Sequence, residues 1–231
     1  MQSLYDSPLH NPILFLITGT VFLLVLARRM PFLQGYLVVF GVEILADALL
    51  TGGFSPFRGP SPLRQGVEIA FVLLGDFRFF LIVERALREK LDTRVWVGSA
   101  LLTLVVPVLS QLASRAIPAL GASSRVIFLS YELGMVALVA GLAFVVLRRR
   151  IATAPPASRR FLVRLFTFEL VQYVGWALAD AIILAGAEVG YLVRLVPNIL
   201  YYAAFLPFVY LVAPTGERAH GERDPRASGG P

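Results

Sequence analysis

The chain of 231 residues contains no cysteine, a single lysine and two histidines. Without cysteine it has no disulfides, no thiolate metal sites and no cysteine nucleophile. His10 and His220 lie outside every long apolar run, which argues against haem ligation by histidine, a histidine zinc site and a serine-histidine hydrolase. Only 16% of the residues are charged, whereas 57% are hydrophobic. A soluble domain of this size could not bury so much apolar surface, so the composition predicts a membrane protein.

Long apolar runs predict the transmembrane segments. A helix needs about 20 apolar residues to cross roughly 30 Å of hydrocarbon, and seven runs meet this requirement. They are 12–28, 32–52, 67–86, 95–113, 126–147, 161–186 and 191–213, of which 161–186 is judged the most polar. The sequence therefore predicts an all-α integral membrane protein, with a seven-helix transmembrane domain over residues 1–213. Residues 214–231, short, polar and rich in Gly and Pro, are predicted to be a disordered cytoplasmic tail.

Positive residues fall mainly on one side of the predicted membrane. Counted over alternate loops, fifteen Lys and Arg residues lie on one side and five on the other. Cytoplasmic loops are enriched in Lys and Arg, so the N-terminus is predicted outside and the C-terminus in the cytoplasm, in a bacterial inner (plasma) membrane. The basic residues lie between apolar runs and form no basic-aromatic module. The expected partners are therefore the lipid bilayer and a small molecule, cation or proton, with no nucleic acid; a homo-oligomer is compatible with the sequence.

The tetrapeptide Leu-Ala-Asp-Ala occurs twice, beginning at Leu45 and at Leu178. The two copies lie in the second and sixth predicted helices, which cross the membrane in the same direction. If two parallel three-helix repeats flank a single fourth helix, a 3+1+3 arrangement, these helices are equivalent. Asp47 and Asp180 would then face one central cavity from opposite sides and sense the same ligand or proton. Chance is the alternative explanation, because Leu and Ala are abundant in this chain.

Ionisable residues inside the predicted spans are candidate functional residues, because a charge at the bilayer centre costs ~2.5–3.5 kcal/mol. Several follow helical spacing: Glu43 and Asp47 are four residues apart and share a face. A polar-aromatic stripe runs along the sixth helix, and Pro197 is expected to bend the seventh. The candidate ligand-binding or ion-binding residues are Glu43, Asp47, Asp76, Arg78, Glu132, Glu169, Tyr173, Trp176, Asp180, Asn198 and Tyr201.

The charges of these candidates do not cancel, because six acids face one central arginine, Arg78, and a second arginine near the rim. Several acids must be protonated, exposed to water or paired with a bound cation, since an uncompensated charge is costly to bury. Most of the candidates fall in the outer half of the membrane, with Glu169 deeper. The pattern predicts an acid-lined cavity that opens outward. Arg78 is expected to pair with Asp47, Asp180 or Glu169 rather than with Asp76. The alternative is that these contacts only hold the helices together.

Two known classes share part of this pattern. Seven helices with an external N-terminus and a 3+1+3 arrangement resemble the sugar-transporter and PQ-loop class in outline, but the chain has no Pro-Gln pair. The segment LLGDF is similar to the Gly-x-Gly-Asp of intramembrane aspartyl proteases, with Leu73 at the first glycine position. A second aspartate, such as Asp47 or Asp180, would have to complete that catalytic pair. The only lysine, Lys90, lies in a loop, which excludes a retinal Schiff base within the bundle.

These observations leave three classes of function. The first is a small-solute or cation transporter, with proton coupling as one form of it. The second is a heptahelical ligand-binding or sensory membrane protein without retinal. The third and most distant is an intramembrane enzyme that uses paired carboxylates. No cofactor is expected, no catalytic residue is assigned, and the sequence does not specify a metal. Transport requires that the cavity opens to both faces, whereas a receptor keeps its cytoplasmic side closed and contacts a partner protein.

Overall fold

The computed structural model describes residues 31–51, 55–57, 61–88, 90–121, 123–149 and 156–214. All regular structure within these ranges is helical. The helices are α1 (Phe32–Thr51), α2 (Pro62–Arg88), α3 (Thr93–Ala116), α4 (Ser124–Arg149), α5 (Pro156–Leu184) and α6 (Val189–Val212), with a short 3-10 helix at Pro118–Gly121 after α3. They match the predicted spans from 32–52 onward within a few residues at most ends. The first predicted span, 12–28, and the predicted tail, apart from residue 214, lie outside the described residues.

Five of the six helices, namely α1, α3, α4, α5 and α6, are long and apolar enough to cross a membrane. Their outer sides carry large apolar residues, such as Leu45 at 65% exposed and Leu211 at 67% exposed. Charged residues such as Asp76 and Asp180 are instead buried inside the bundle. Apolar surface outside and polar groups inside is the arrangement expected where lipid is the solvent. The described residues therefore have the architecture of a helical membrane protein, as predicted.

Helix α2 differs from the other five, because it carries seven charged residues among its 27 and is not one of the candidate spans. The prediction that 161–186 is the most polar segment is wrong, since α5 qualifies as a span and α2 does not. The charges of α2 are tolerated because the helix packs against α1, α3 and α5. Asp76 and Arg78 in its middle are each only 1% exposed and face these neighbours.

The helices form a closed bundle in which each helix packs against the next and α6 packs against α1. Helix α1 shows how its sequence directs this packing. Its buried residues follow spacings of three and four, which place them on one stripe of an α-helix. They include Leu33, Tyr36, Phe40, Glu43 and Asp47. The stripe changes from apolar to acidic along the helix, so one end of α1 contributes to an apolar core and the other to a polar interior.

The same division runs through the whole bundle. The apolar core gathers the N-terminal halves of α1 and α5, the C-terminal halves of α4 and α6, and the segment 79–83 of α2. Phe79 and Phe80 are fully buried at its centre, and Phe79 meets Phe166 of α5 edge to face. The opposite end, where α1 and α5 finish and α2, α4 and α6 begin, contains the buried acids Asp47, Asp76, Glu132 and Asp180. Function is therefore expected at that end.

Helix α6 is irregular beside Pro197. Proline has no N–H to donate to the carbonyl four residues earlier, and the regular α-helical pattern ends at Ile199. A π-helical segment, Leu200–Ala204, follows before the α-helix resumes at Phe205. In this segment the N–H of Phe205 donates to the carbonyl of Leu200, five residues back. In a regular helix it would donate to the carbonyl of Tyr201, which accepts a side-chain donor instead.

Candidate functional site

A cavity of about 290 Å³ lies inside the polar end of the bundle, between α1, α2, α4, α5 and α6. Acidic and aromatic side chains dominate its wall, and one arginine is present. The lining residues are Asp47, Thr51, Glu68, Val72, Asp76, Phe128, Tyr131, Glu132, Tyr173, Trp176, Arg194, Asn198, Tyr201 and Tyr202. The wall therefore combines four carboxylates and six aromatic rings around an interior large enough for a small solute.

Asp76 is held in the wall of this cavity by two tyrosines. Its two carboxylate oxygens accept hydrogen bonds from the hydroxyls of Tyr131 on α4 and Tyr173 on α5. These two hydroxyls lie 3.4 Å apart. Hydrogen bonds to an ionised acceptor are stronger than neutral ones, so the tyrosines can stabilise a carboxylate without an adjacent cation. Among the described residues, its hydrogen-bond partners are these tyrosines and not a second aspartate.

Asp47 lines the same cavity from α1. Its Oδ1 accepts a hydrogen bond of 2.7 Å from the hydroxyl of Thr51, one turn later. Tyr202 on α6 lines the same cavity and interacts electrostatically with this carboxylate. Among the described residues, Asp47 thus accepts its side-chain hydrogen bond from a neutral hydroxyl group, as Asp76 does. In the part of the chain that the structure describes, neither aspartate forms an ion pair.

Arg78 lies beneath the cavity, next to the apolar core, and is 1% exposed. Its Nη2 donates a 2.8 Å hydrogen bond to the Tyr201 carbonyl, which the π-helical segment makes available. The guanidinium carbon is 4.0 Å from the centroid of the Tyr201 ring and 4.7 Å from that of Phe205. Tyr36 donates a 2.9 Å hydrogen bond to the backbone carbonyl of Arg78. The arginine therefore ties α1, α2 and α6 together.

The acid closest to this guanidinium is Glu43, whose Oε2 lies 3.7 Å from Nη1 of Arg78. Arg78 does pair with an acid of another helix, as the sequence predicts, but the expectation that this acid is Asp47, Asp180 or Glu169 is wrong. The side chain of Arg78 extends from α2 toward the apolar core. It therefore meets Glu43, which lies one turn before Asp47 on α1. Glu169 is buried nearby and interacts electrostatically with the same arginine. Neither oxygen of Glu43 accepts a hydrogen bond from the described residues.

Asp180 has a different environment, because two arginines hold it. Its Oδ1 accepts hydrogen bonds from Arg125 at 2.8 Å and from Arg194. Arg194 also lies 3.5 Å from Oε1 of Glu132. Asp180 is fully buried, whereas the two arginine side chains are 30% and 26% exposed. This cluster of Arg125, Glu132, Asp180 and Arg194 joins α4, α5 and α6 at the edge of the cavity. Two of its members, Glu132 and Arg194, line the cavity.

The two Leu-Ala-Asp-Ala copies therefore do not place their aspartates in equivalent settings. Asp47 lines the cavity and is held by hydroxyls, whereas Asp180 lies outside the lining and is neutralised by arginines. The expectation that both face the central cavity is wrong for Asp180. The first helix of the supposed first repeat lies outside the described residues. Asp180 thus holds helices together through its arginine partners, whereas Asp47 forms part of the cavity wall.

This difference predicts unequal effects of two matched substitutions. Asp180→Asn leaves Arg125 and Arg194 without their shared carboxylate, so we expect the free energy of unfolding to fall by about 1.5–3 kcal/mol, as for charged hydrogen bonds. Asp47→Asn keeps its neutral hydroxyl partners and should change the free energy of unfolding by less than about 1 kcal/mol. Thermal unfolding of the purified variants in one detergent compares them. Equal destabilisation by the two changes would contradict the difference between their surroundings.

Five aromatic rings form a continuous chain along the cavity wall. Neighbouring centroids are 6.2 Å apart between Tyr131 and Tyr173, and 5.4 Å apart between Tyr173 and Trp176. The chain continues from Trp176 to Tyr201 at 5.4 Å and from Tyr201 to Tyr202 at 4.7 Å. The Trp176 indole N–H donates a 2.8 Å hydrogen bond to the side-chain carbonyl of Asn198. Packing of each ring against the next gives the cavity a continuous aromatic wall.

Gly75 makes room for one of these rings. A Cβ at this position would collide with the Tyr201 hydroxyl and lie 2.6 Å from its ring carbon Cζ. The Tyr201 hydroxyl also donates a 3.3 Å hydrogen bond to the backbone carbonyl of Phe71 on α2. Only glycine allows α2 and the Tyr201 ring to approach so closely. The position of this ring against both the cavity and Arg78 therefore depends on Gly75.

We expect Gly75→Ala to lower the free energy of unfolding by about 1–3 kcal/mol, the usual cost of overpacking a filled site. Gly141→Ala on α4 is the matched control, because its Cβ meets no atom within 4 Å. That change should be neutral or stabilising by up to about 1 kcal/mol, since alanine favours a helix. Melting temperatures of the two variants against the unchanged protein provide the measurement. A Gly75→Ala protein as stable as the Gly141→Ala protein would contradict the close packing of Tyr201.

The structure brings most of the predicted candidates together. Asp47, Asp76, Glu132, Tyr173, Trp176, Asn198 and Tyr201 all line the cavity. Glu43, Arg78 and Glu169 lie beneath it, and Asp180 lies beside it. The prediction did not select Glu68, Tyr131 or Tyr202, nor Thr51 and Arg194, as site residues. Spacing offered a signal for two of them, because Glu68 is eight residues before Asp76 and Thr51 is four after Asp47.

Comparison with protein-family models, curated proteins and solved structures gives no significant match. Within the described residues, no group of three or more His, Cys, Asp and Glu is arranged to hold a metal ion. The geometry of the cavity is therefore the basis on which function can be proposed.

Proposed function

We propose that this membrane protein is a small-solute transporter whose solute binds in the acid- and tyrosine-lined cavity. The observation that carries the proposal is the position of the cavity beside the interruption of α6. Asn198, Tyr201 and Tyr202 enter the lining from the turn after Pro197 and from the π-helical segment. Transporters commonly place their solute sites inside the helical bundle, where a helix is discontinuous. π-helical segments are likewise frequent at functional sites.

The proposed membrane arrangement has seven spanning helices, with residues 12–28 as the first and the N-terminus outside. In this arrangement α2 crosses the membrane inside the bundle, where its charges contact other helices rather than lipid. The C-terminal ends of α1 and α5 and the N-terminal ends of α2, α4 and α6 face outward. These are the ends that line the cavity, so the solute enters from outside. The apolar core closes the opposite, cytoplasmic half.

The proposed orientation predicts which surface cysteines are labelled in intact cells. The chain has no cysteine, so each substitution introduces the single reactive thiol. Ala119→Cys, in the 3-10 helix after α3, should react with an impermeant maleimide added outside, because Ala119 is exposed and lies on the outer side in the proposed arrangement. Ala157→Cys, exposed in the first turn of α5, should react only after the membrane is permeabilised. The reverse pattern would contradict the orientation of the cavity.

Proton coupling, if the transporter uses it, is assigned to the layer beneath the cavity. Glu43 and Glu169 are buried there around Arg78, and they outnumber the positive charge beside them. Binding a proton costs an acid in such a layer less than carrying an uncompensated charge. Glu43→Gln should then leave solute binding intact and abolish the stimulation of uptake by an inward proton gradient. Unchanged stimulation would exclude Glu43 as the coupling acid.

A ligand screen by thermal shift, followed by uptake into proteoliposomes, tests the proposed function. We expect some small solutes to raise the melting temperature of the purified protein, because a ligand that binds only the folded state stabilises it. The same solutes should enter proteoliposomes that contain the protein. Glu132→Gln, which alters the cavity wall, should weaken both effects. Solutes that bind without any uptake would favour the alternative function, a ligand-binding sensory protein.

A further inference from the structure

Among the described residues, the cavity wall carries more acidic than basic side chains. Four carboxylates line the wall against one guanidinium, a formal excess of three negative charges. That guanidinium belongs to Arg194 and is already engaged by Asp180 and Glu132. Glu68, at the surface, pairs with Arg64 at 2.8 Å. Within the described ranges, the deeper carboxylates of Asp47 and Asp76 have only hydroxyl donors at hydrogen-bonding distance. A bound cation would compensate the charge that the side chains leave uncompensated.

One acid of the cavity lining has a buried oxygen without a hydrogen-bond partner among the described residues. Glu132 is 3% exposed, and its Oε2 accepts no hydrogen bond from the described residues. A buried carboxylate oxygen that lacks a donor is costly, by about 1–3 kcal/mol or more. Glu132 belongs to the cavity lining, so a cation bound there would lie beside a carboxylate whose hydrogen bonding is incomplete.

The aromatic wall favours an organic cation over an inorganic one. Ring faces attract cations electrostatically, and recognition of ammonium groups by clustered aromatic residues is a common use of this attraction. The five linked rings, from Tyr131 to Tyr202, surround the space next to Asp76 and Asp47. Hard metal ions need several oxygen ligands at short distance, and the Asp76 oxygens are occupied by tyrosine donors. Aromatic rings and carboxylates together suit an ammonium group whose nitrogen carries organic substituents.

The size of the cavity limits the ligand further. A volume of about 290 Å³ corresponds to roughly ten groups the size of a water molecule, at about 30 Å³ each. A solute of roughly ten non-hydrogen atoms therefore fits.

We propose that the cavity binds a small organic ammonium ion, with its charge against Asp47 and Asp76 and its carbon groups against the aromatic wall. This inference rests on the proposed function, because it names the class of solute that the same cavity takes. The nearest tyrosine rings accept the cation on their faces while their hydroxyls hold the Asp76 carboxylate in place. Arg194, kept at the edge by Asp180, does not compete for the two aspartates.

The test uses three ammonium probes, tetramethylammonium, choline and tetraethylammonium, with 3,3-dimethylbutan-1-ol as the uncharged counterpart of choline. Binding is measured by tryptophan fluorescence in a Trp96→Phe background, so that the signal comes from Trp176, which lines the cavity; the chain has two tryptophans. We expect at least one ammonium probe to give a saturable change. When choline is that probe, its uncharged counterpart should bind at least tenfold more weakly.

Matched aspartate substitutions complete the test. Asp47→Asn should weaken ammonium binding at least tenfold and leave the weak binding of the alcohol unchanged. Asp92→Asn should change neither, because Asp92 caps α3 outside the cavity and asparagine caps a helix equally well. The inference is overturned if no ammonium probe binds, if the alcohol binds as tightly as choline, or if both aspartate variants behave alike.

Uptake into proteoliposomes separates this inference from the proposed function. Saturable ammonium binding without uptake would support the ligand class and contradict transport. Uptake of a neutral or anionic solute, with no ammonium binding, would support transport and overturn the ligand class.

Discussion

Arg78→Ala is expected to lower the free energy of unfolding by about 3–5 kcal/mol, the usual cost of breaking a buried ion pair from one side. The arginine is 1% exposed and holds the Tyr201 carbonyl, the rings of Tyr201 and Phe205, and the Glu43 carboxylate. Removing it leaves the buried carboxylate without its cation and removes a contact between α2 and α6. Thermal or denaturant unfolding of the purified variant in detergent measures the loss.

Two further variants identify the cause of that loss. Arg115→Ala removes an exposed arginine at the end of α3 and should leave the melting temperature unchanged. Adding Glu43→Gln to Arg78→Ala should recover part of the stability, because the uncompensated charge then disappears. An Arg78→Ala protein that melts like the unchanged protein would mean that its guanidinium reaches water. Absence of recovery in the double variant would mean that Glu43 is not the acid that Arg78 compensates.

Asp76→Asn is expected to weaken binding of the ammonium probe roughly 10- to 100-fold. Loss of a charge-assisted interaction costs about 1.5–3 kcal/mol, and each 1.4 kcal/mol corresponds to a factor of ten in affinity. Fluorescence titration in the Trp96→Phe background gives both dissociation constants. Asparagine keeps the shape of the side chain, accepting a hydrogen bond from one tyrosine and donating one to the other. The fold should therefore survive, and an unchanged melting temperature without ligand checks this.

The control for charge alone is again Asp92→Asn, which removes a carboxylate at the start of α3 and should not affect affinity. Affinity that is unchanged in Asp76→Asn would remove this aspartate from the binding site. Affinity lost equally in Asp92→Asn would mean that the net charge of the protein, rather than the cavity, determines binding.

The helices were predictable because their composition and length reflect the lipid around them. A continuous apolar run of about 20 residues crosses a membrane as a helix, because few other structures satisfy its backbone hydrogen bonds in lipid. Helices α1 and α3 to α6 therefore begin and end close to the predicted limits. The periodicity of the polar residues was equally informative. Glu43 and Asp47 share the buried face of α1, as their spacing of four requires. Arg194, Asn198 and Tyr201 likewise reach one cavity from one face of α6.

Contacts between helices were less predictable, because periodicity identifies a face without identifying the helix that it meets. The sequence predicted an interhelical partner for Arg78 but did not identify Glu43, which depends on how α1 and α2 are rotated against each other. The setting of Asp180 was misjudged for a similar reason: two arginines distant in sequence, Arg125 and Arg194, converge on it. The π-helical segment after Pro197 has no sequence signal beyond the proline itself, although it exposes the carbonyl that holds Arg78.

Accessibility of one cavity residue from both sides of the membrane tests the transport proposal most directly. Val72 lines the cavity, and Val72→Cys carries the only thiol in the chain. Ala119→Cys and Ala157→Cys serve as references for the outer and cytoplasmic sides. In right-side-out and inside-out vesicles, an impermeant maleimide should modify Val72→Cys from either side, and a bound ammonium probe should slow both reactions. Modification from the outer side alone, with and without the probe, would contradict transport through this cavity.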